Sequence, residues 1–467
     1  MSKTTSNPTL ADHLLSVANP DVSFQPWKEW EKVLFRFFAL FLVILIVPLD
    51  WKYYQLVFSI DWSDLHFYDL LTLTKYQPQF IPLEENGVPL LGVKSFYNWG
   101  IAALIAGVGA YVWGRVDHPR KEYTTLYYWL RVLVRFRLAI VLIAYGFFKL
   151  FPLQMPYPSL SNLLTNYGDF YAWKIYFQTV GIAPKYESFL GFVEIIAAFL
   201  IFNRRTVTFG VGLIIGFLGN VAVANGFYDI GEQTLSTLIV LLSAFLFAYD
   251  IPRLYQLLIQ EKTARANRFI PQFTAPTLHR LRIAGRTLFY SFVVLYAFKT
   301  YQSWANDPYK YPKSPGLKGS YGYYNVQDFV VNNDTLAYSK TDPQRWQDVV
   351  FEQWSTLSIK VNRPVKIDLT NGEGYHPEDI DRNYEIAGFA GRHYFHYQVD
   401  TLTNTLYLQN KNRNHRSEKM VLTYRWAPDS TLLLTGTNEN QDSIRVALSK
   451  INKKFLMFEG RRRPVKI

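Results

Sequence analysis

Residues 189–202 read Phe-Leu-Gly-Phe-Val-Glu-Ile-Ile-Ala-Ala-Phe-Leu-Ile-Phe, an apolar run broken by one carboxylate, Glu194. A stretch of that kind belongs in a bilayer or a buried core, and an ionisable group at membrane depth costs ~2.5 kcal/mol or more on insertion scales. Glu194 therefore calls for a partner or a task. Lys149, in the preceding apolar segment, is the candidate partner.

Outward from this run, the 467-residue chain divides in two. Residues 34–304 carry long apolar runs, and residues 305–467 read as a water-soluble tail. Seven segments suit a bilayer crossing, at about 34–50, 95–113, 133–152, 186–202, 206–227, 233–250 and 287–304. Lys and Arg gather on alternate sides of them: Lys28, Lys32, Arg115, Arg120, Lys121, Arg131, Arg204, Arg205, Arg253 and Lys262 on one side, fewer on the other. The positive-inside rule makes that side cytoplasmic. The expected arrangement is a multi-pass bacterial inner-membrane protein with a cytoplasmic amino terminus and a periplasmic tail. Arg135 and Arg137 are expected to snorkel at the inner boundary.

The expected organisation is a cytoplasmic tail over 1–33, two spans with an outer loop over 34–131, a four-helix core over 132–252, a cytoplasmic loop and last span over 253–304, and a periplasmic β-rich domain over 305–467. No cleavable signal peptide is visible. The net charge of +12 does not point to nucleic acid, because the basic residues flank apolar segments. With no cysteine, the chain has no disulfide, thiolate zinc site or cysteine-bound iron–sulfur cluster of its own. None of its eight histidines falls inside a span, which excludes a bis-histidine haem there. No Walker loop, nucleophile elbow or HExxH sequence occurs.

Beyond Tyr321 the pattern becomes period two. Residues 393–399, 405–408, 420–426 and 431–434 read as strands, separated by turn signals at Asn371-Gly372, Ala427-Pro428-Asp429 and Asn438-Glu439-Asn440. The expectation is a mainly-β, barrel- or lipocalin-like domain. His393 and His396 fall on opposite strand faces and cannot share a metal ion; no metal site is expected. The basic run Arg461-Arg462-Arg463 reads as solvated or headgroup-facing. Aromatic and polar residues over 51–94 and 153–187 read as interfacial outer loops.

In the apolar part, Tyr145 and Gly146 lie one turn before Lys149. Gly191, Glu194 and Ala198 share a helix face suited to close packing, and Gly212, Gly216 and Asn220 form a second such face. Asn225, Tyr228, Asp229, Glu232 and Gln233 follow near the outer end. Polar groups from separate segments thus fall at a similar depth. They read either as a ligand or proton site or as a register-fixing ion pair flanked by amides.

Residues 137–253 resemble the DoxX-like membrane family, in the larger form common in Bacteroidota. The resemblance is carried by Tyr145-Gly146-Phe147-Phe148-Lys149, Tyr186 to Glu194, Asn203-Arg204-Arg205-Thr206, Asn220-Val221 and Asn225-Gly226-Phe227-Tyr228-Asp229. It implies a four-helix core with extra spans and an outer β domain. It also implies Glu194 and Lys149 as acting residues, with Tyr145, Asn220, Asn225, Tyr228 and Asp229 around a ligand. Some relatives are subunits of thiosulfate:quinone oxidoreductase, so quinone is the implied diffusible cofactor. A basic residue follows the Tyr-Asp pair in larger members; here Gly231-Glu232-Gln233 stands instead, which weighs against an anionic ligand at the outer mouth. The expectation is a subunit of a quinone-linked oxidoreductase. The rival is a non-enzymatic transporter, cargo receptor or assembly factor whose β domain binds a membrane or periplasmic protein.

Overall fold

A computed structural model describes residues 27–85, 88–117, 120–264, 276–370, 372–428 and 430–459. Asn371, Asp429 and the Arg461–Arg463 run lie outside the described residues. The chain forms two compact units: Met1–Phe151 with Ser188–Tyr301, and Pro152–Glu187 with Gln302–Ile467.

Each segment expected to span is helical: α1 (Glu29–Ile46), α2 (Tyr97–Val116), α3 (Thr124–Leu150), α4 (Pro184–Phe202), α5 (Val207–Phe227), α6 (Gln233–Ala248) and α7 (Pro276–Asn306). Among the described residues four stretches are long and apolar enough to cross a membrane: Glu29–Ser59, Gly92–Val116, Val207–Phe227 and His279–Asn306. A fifth is counted if α6 and the following helix Ile251–Leu258, bent from it by 65°, are taken as one. Charge sets α3 and α4 apart from these. α3 carries Arg131, Arg135, Arg137 and Lys149, and α4 carries Lys185, Glu187 and Glu194.

α3 is buried on nearly every side from Leu138 to Gly146, the mark of a helix surrounded by others. Arg135 and Arg137 are not snorkelling residues but clamps. Arg135 donates from Nε to the Ile201 carbonyl at 2.9 Å and from its terminal nitrogen to that of Phe202 at 2.5 Å. Arg137 donates to the carbonyls of Thr74 at 2.6 Å and Tyr76 at 2.7 Å. Arg135 thereby satisfies two carbonyls left without partners at the end of α4, and Arg137 one at the end of the helix Phe67–Thr74 and one just beyond it.

Part of the first outer loop is internal rather than interfacial. The helix Phe67–Thr74 buries Phe67, Leu70, Leu71 and Thr74, the i, i+3, i+4, i+7 stripe of an amphipathic helix. Its start is closed by a capping box: His66 Nδ1 accepts from Tyr68 N, and Asp69 accepts from His66 N.

The second unit holds an eight-stranded antiparallel barrel: β1 (Gly322–Val331), β2 (Asp348–Phe351), β3 (Thr356–Lys360), β4 (His393–Asp400), β5 (Thr405–Asn410), β6 (Lys419–Ala427), β7 (Thr431–Thr437) and β8 (Ser443–Ile451). Each strand pairs with the next, and β8 returns to pair with β1, so no long edge stays open. Alternate residues fill the interior, among them Tyr324, Phe351, Phe395, Leu408, Leu422 and Val446. Eight strands enclose about the volume that side chains can fill, so the interior is a packed core.

β2 and β3 are buried on both faces. Their outward residues Thr356 and Ser358 lie beneath residues of the 152–187 segment and of 385–394; Ser161 Oγ reaches Ser358 Oγ at 2.7 Å, and Asn162 donates to Tyr394 Oη at 3.2 Å. The second outer loop is thus a covering layer on the barrel wall.

Candidate functional site

The helical unit brings Lys149 and Glu194 together. Lys149 Nζ donates to Glu194 Oε1, and the two side chains are only 9% and 2% exposed. Two glycines make this possible. A Cβ on Gly191 would strike the Gly146 carbonyl and the backbone nitrogen of Leu150, and one on Gly146 would come within 2.6 Å of Ile195. Backbones that close bring the next residues on the same faces, Lys149 and Glu194, within reach of each other. Ala198, one turn further along, is fully buried. Glu194 Oε2 is buried and has no hydrogen-bond partner among the described residues.

Tyr145 extends the pair towards Glu232 and Lys75. Lys149 Nζ lies 5.6 Å from the Tyr145 ring centroid, within cation–π range. The Tyr145 hydroxyl donates to Glu232 Oε2 at 2.9 Å, while Lys75 Nζ donates to Glu232 Oε1 at 2.7 Å. Lys75 also stands 5.5 Å from the Tyr145 ring. It lines a cleft of about 360 Å³ together with Asp50, Tyr53, Tyr76, Gln77, Asn98 and Trp99. A polar chain thus runs from the cleft through Lys75, Glu232 and Tyr145 to Lys149 and Glu194.

The other expected residues divide. Asn225 is buried and donates weakly to the Glu232 carbonyl at 3.4 Å. Asn220, Tyr228 and Asp229 are exposed. Gly212 and Gly216, expected to pack, are exposed, and a Cβ on either would meet nothing within 4 Å among the described residues. The buried side of α5 carries Val207, Gly210, Val211, Ile214, Leu218 and Asn225, and its close approach falls at Gly210, where a Cβ would come within 2.9 Å of Leu200.

Lys75 stands outside the expected site, and Glu232, read within the outer polar group, was assigned no role of its own. Lys75 reads in sequence as one more loop cation, and 157 positions separate it from Glu232. The available signal was the stripe Phe67, Leu70, Leu71, Thr74, which draws the helix before Lys75 into the protein.

In the barrel unit, a second polar cluster has a structural character. Glu385 accepts from Lys411 at 2.9 Å and from Trp354 at 2.8 Å; Glu352 accepts from Ser161 N at 2.7 Å and Ser161 Oγ at 2.6 Å. Burial, then the neighbouring Glu385, push the Glu352 carboxyl up to about 7. Burial, with Lys310 beside it, holds the Lys174 ammonium well below its ordinary range. His393 approaches Arg363, whereas His396 meets Ser355 Oγ at 3.1 Å. Among the described residues no group of three or more His, Asp or Glu could hold a metal ion.

No family model matches the chain, and no solved structure matches it. Among curated proteins it is similar to an uncharacterized protein, YwoB, of Bacillus subtilis (strain 168), at 34% identity over 79 residues. That match covers 17% of this chain and 49% of YwoB, so the chain spans about half the length of this relative.

Proposed function

We propose that this is a DoxX-like integral protein of a bacterial inner membrane and a subunit of a quinone-linked oxidoreductase. The observation that carries the reading is the sealed Lys149–Glu194 pair, with one unpaired carboxylate oxygen, joined by Tyr145, Glu232 and Lys75 to a cleft. Structural ion pairs in membranes need no such outlet.

The lining suits a quinone head. Tyr53, Tyr76 and Trp99 offer flat aromatic faces and Lys75 a cation to a ring carbonyl, while Gln77 and Asn98 already donate to Thr234 Oγ1 and the Ile81 carbonyl and hold the wall in shape. A bound quinone would supply two-electron, two-proton chemistry. In this reading Lys75 orients the head, Glu232 fixes Lys75 and Tyr145, and Glu194 holds the proton.

In this reading seven crossings from a cytoplasmic amino terminus carry the barrel to the periplasm. Pro152–Glu187 belongs to the same unit as Gln302–Ile467, which supports one side of the membrane for both segments. A runner-up reading is a partner-binding assembly factor. It draws on the exposed Tyr407 and Val421, cross-strand neighbours on the outer wall of the barrel.

The test is gentle purification in native lipid with an inventory of bound quinone and protein. Quinone retained by the wild type and lost from Glu194→Gln, with normal insertion, supports the first reading. A stable protein partner with no quinone supports the second. Unchanged function in Glu194→Gln would reduce the cluster to packing.

A further inference from the structure

The short helix Ile251–Leu258 leaves the end of α6 at 65°. Its turning point is fixed rather than loose. Asp250, buried, accepts from Thr208 Oγ1 at 2.6 Å, and the adjacent Tyr249 ring sits 3.3 Å beneath the Arg131 guanidinium carbon. The bend therefore lies level with the basic residues that mark one end of the spans.

Beyond it, Ile251, Leu254, Tyr255 and Leu258 follow i, i+3, i+4, i+7 and form one apolar stripe, with Arg253 and Gln256 opposite. No residue of this helix is buried; Leu258 is 72% and Tyr255 52% exposed. A stripe of that kind left bare in water would be an aggregation liability. Exposed cations lie on it and just beyond it in the chain, Arg253 and Lys262, with one exposed carboxylate, Glu261, between them. An apolar stripe continuous with a span, turned to run across it and flanked by cations, matches a bilayer interface rich in anionic headgroups.

We infer that Ile251–Leu258 is an interfacial anchor lying on the cytoplasmic leaflet, with its apolar stripe among the acyl chains and Arg253 and Lys262 on anionic phospholipid headgroups. This rests on the membrane reading above. The anchor fixes the level of the inner end of α6, and hence of Glu232 and Gln233 at its outer end.

The absence of cysteine makes a direct test simple. Single cysteines are placed in the full chain by Leu258→Cys, Gln256→Cys and Val108→Cys, the last on the exposed side of α2, and spin-labelled. The protein is reconstituted in bilayers of phosphatidylcholine with or without phosphatidylglycerol. Collision rates with oxygen and with a water-soluble nickel chelate are then measured. The anchor predicts lipid-like rates at 258 and aqueous rates at 256. Adding Arg253→Ser should lower the docked-to-undocked ratio about fivefold in the anionic bilayer, from ~1 kcal/mol per basic residue, and little in the neutral one. Aqueous rates at both 256 and 258, or equal shielding of both, with 108 in lipid, would overturn the anchor and leave the membrane reading standing. Aqueous rates at 108 as well would remove both.

Discussion

The Lys149–Glu194 pair can be tested by a double-mutant cycle, with Lys149→Met, Glu194→Met and both together. Both side chains are nearly inaccessible, so solvent screening does little to discount their interaction. Removing Lys149 leaves Glu194 without a donor at either oxygen, since Oε2 already has none. Breaking a buried pair by deleting one partner costs ~3–5 kcal/mol. The Glu194→Met variant should lose less, about 1–3 kcal/mol, because the flexible lysine can move towards Tyr145. The double variant removes both charges, and methionine adapts to the vacated volume, so it should recover to within about 1 kcal/mol of wild type. The readout is thermal or denaturant unfolding of the solubilised protein, alongside quinone retention. A stable double variant that has lost quinone separates function from packing. Single variants as stable as wild type would refute the reasoning, because the pair could not then be sealed between α3 and α4.

Gly191→Ala should destabilise by about 1–3 kcal/mol, since its methyl meets backbone atoms of residues 146, 149 and 150, whereas Gly216→Ala meets nothing and should be neutral or slightly stabilising; paired melting curves decide this. Tyr145→Phe should uncouple the cleft from the buried pair, lowering ligand affinity while costing ~1.5–3 kcal/mol of stability, the worth of a bond to the charged Glu232, as titration and unfolding would show. Glu352, held near 7 in the folded barrel, titrates near ~4.3 when unfolded, so its contribution to stability is complete below ~4.3 and is lost as pH rises to about 7. Replacing it by Gln should flatten that fall, by at most about 1.4 kcal/mol per pH unit, in unfolding measured across pH 4 to 8.

Much of this fold was readable because local periodicity and global packing agree. Alternation in β6, β7 and β8 survives as alternating burial, since those strands present one face to water. β2 and β3 depart from it because a second layer covers them, and the unbroken run Val349-Val350-Phe351 was the visible hint. The pair Lys149–Glu194 was legible because a lone charge in an apolar run restricts its own choices, and because Gly146 and Gly191 each precede it by three residues. The contact of Lys75 with Glu232 was not legible. Its geometry depends on Arg137 gripping the carbonyls of Thr74 and Tyr76, and no local pattern announces a guanidinium that reaches for backbone.

The same clamp explains why the cleft has a shape at all. A helix of eight residues, Phe67–Thr74, is too short to persist in water by its own hydrogen bonds. It is held by a capping box at one end, by Arg137 at the other and by a buried stripe between them. Arg137→Lys keeps the charge but offers no planar fork, so at most one of the two carbonyls keeps a well-aligned donor. Loss of one charge-assisted bond, ~1.5–3 kcal/mol, should loosen the helix locally and displace Lys75 from Glu232. Hydrogen exchange would then rise over residues 67–76 while α5 and the barrel strands keep their protection. Uniform loss of protection would mean that Arg137 holds the whole bundle, and that the cleft is a by-product of its packing.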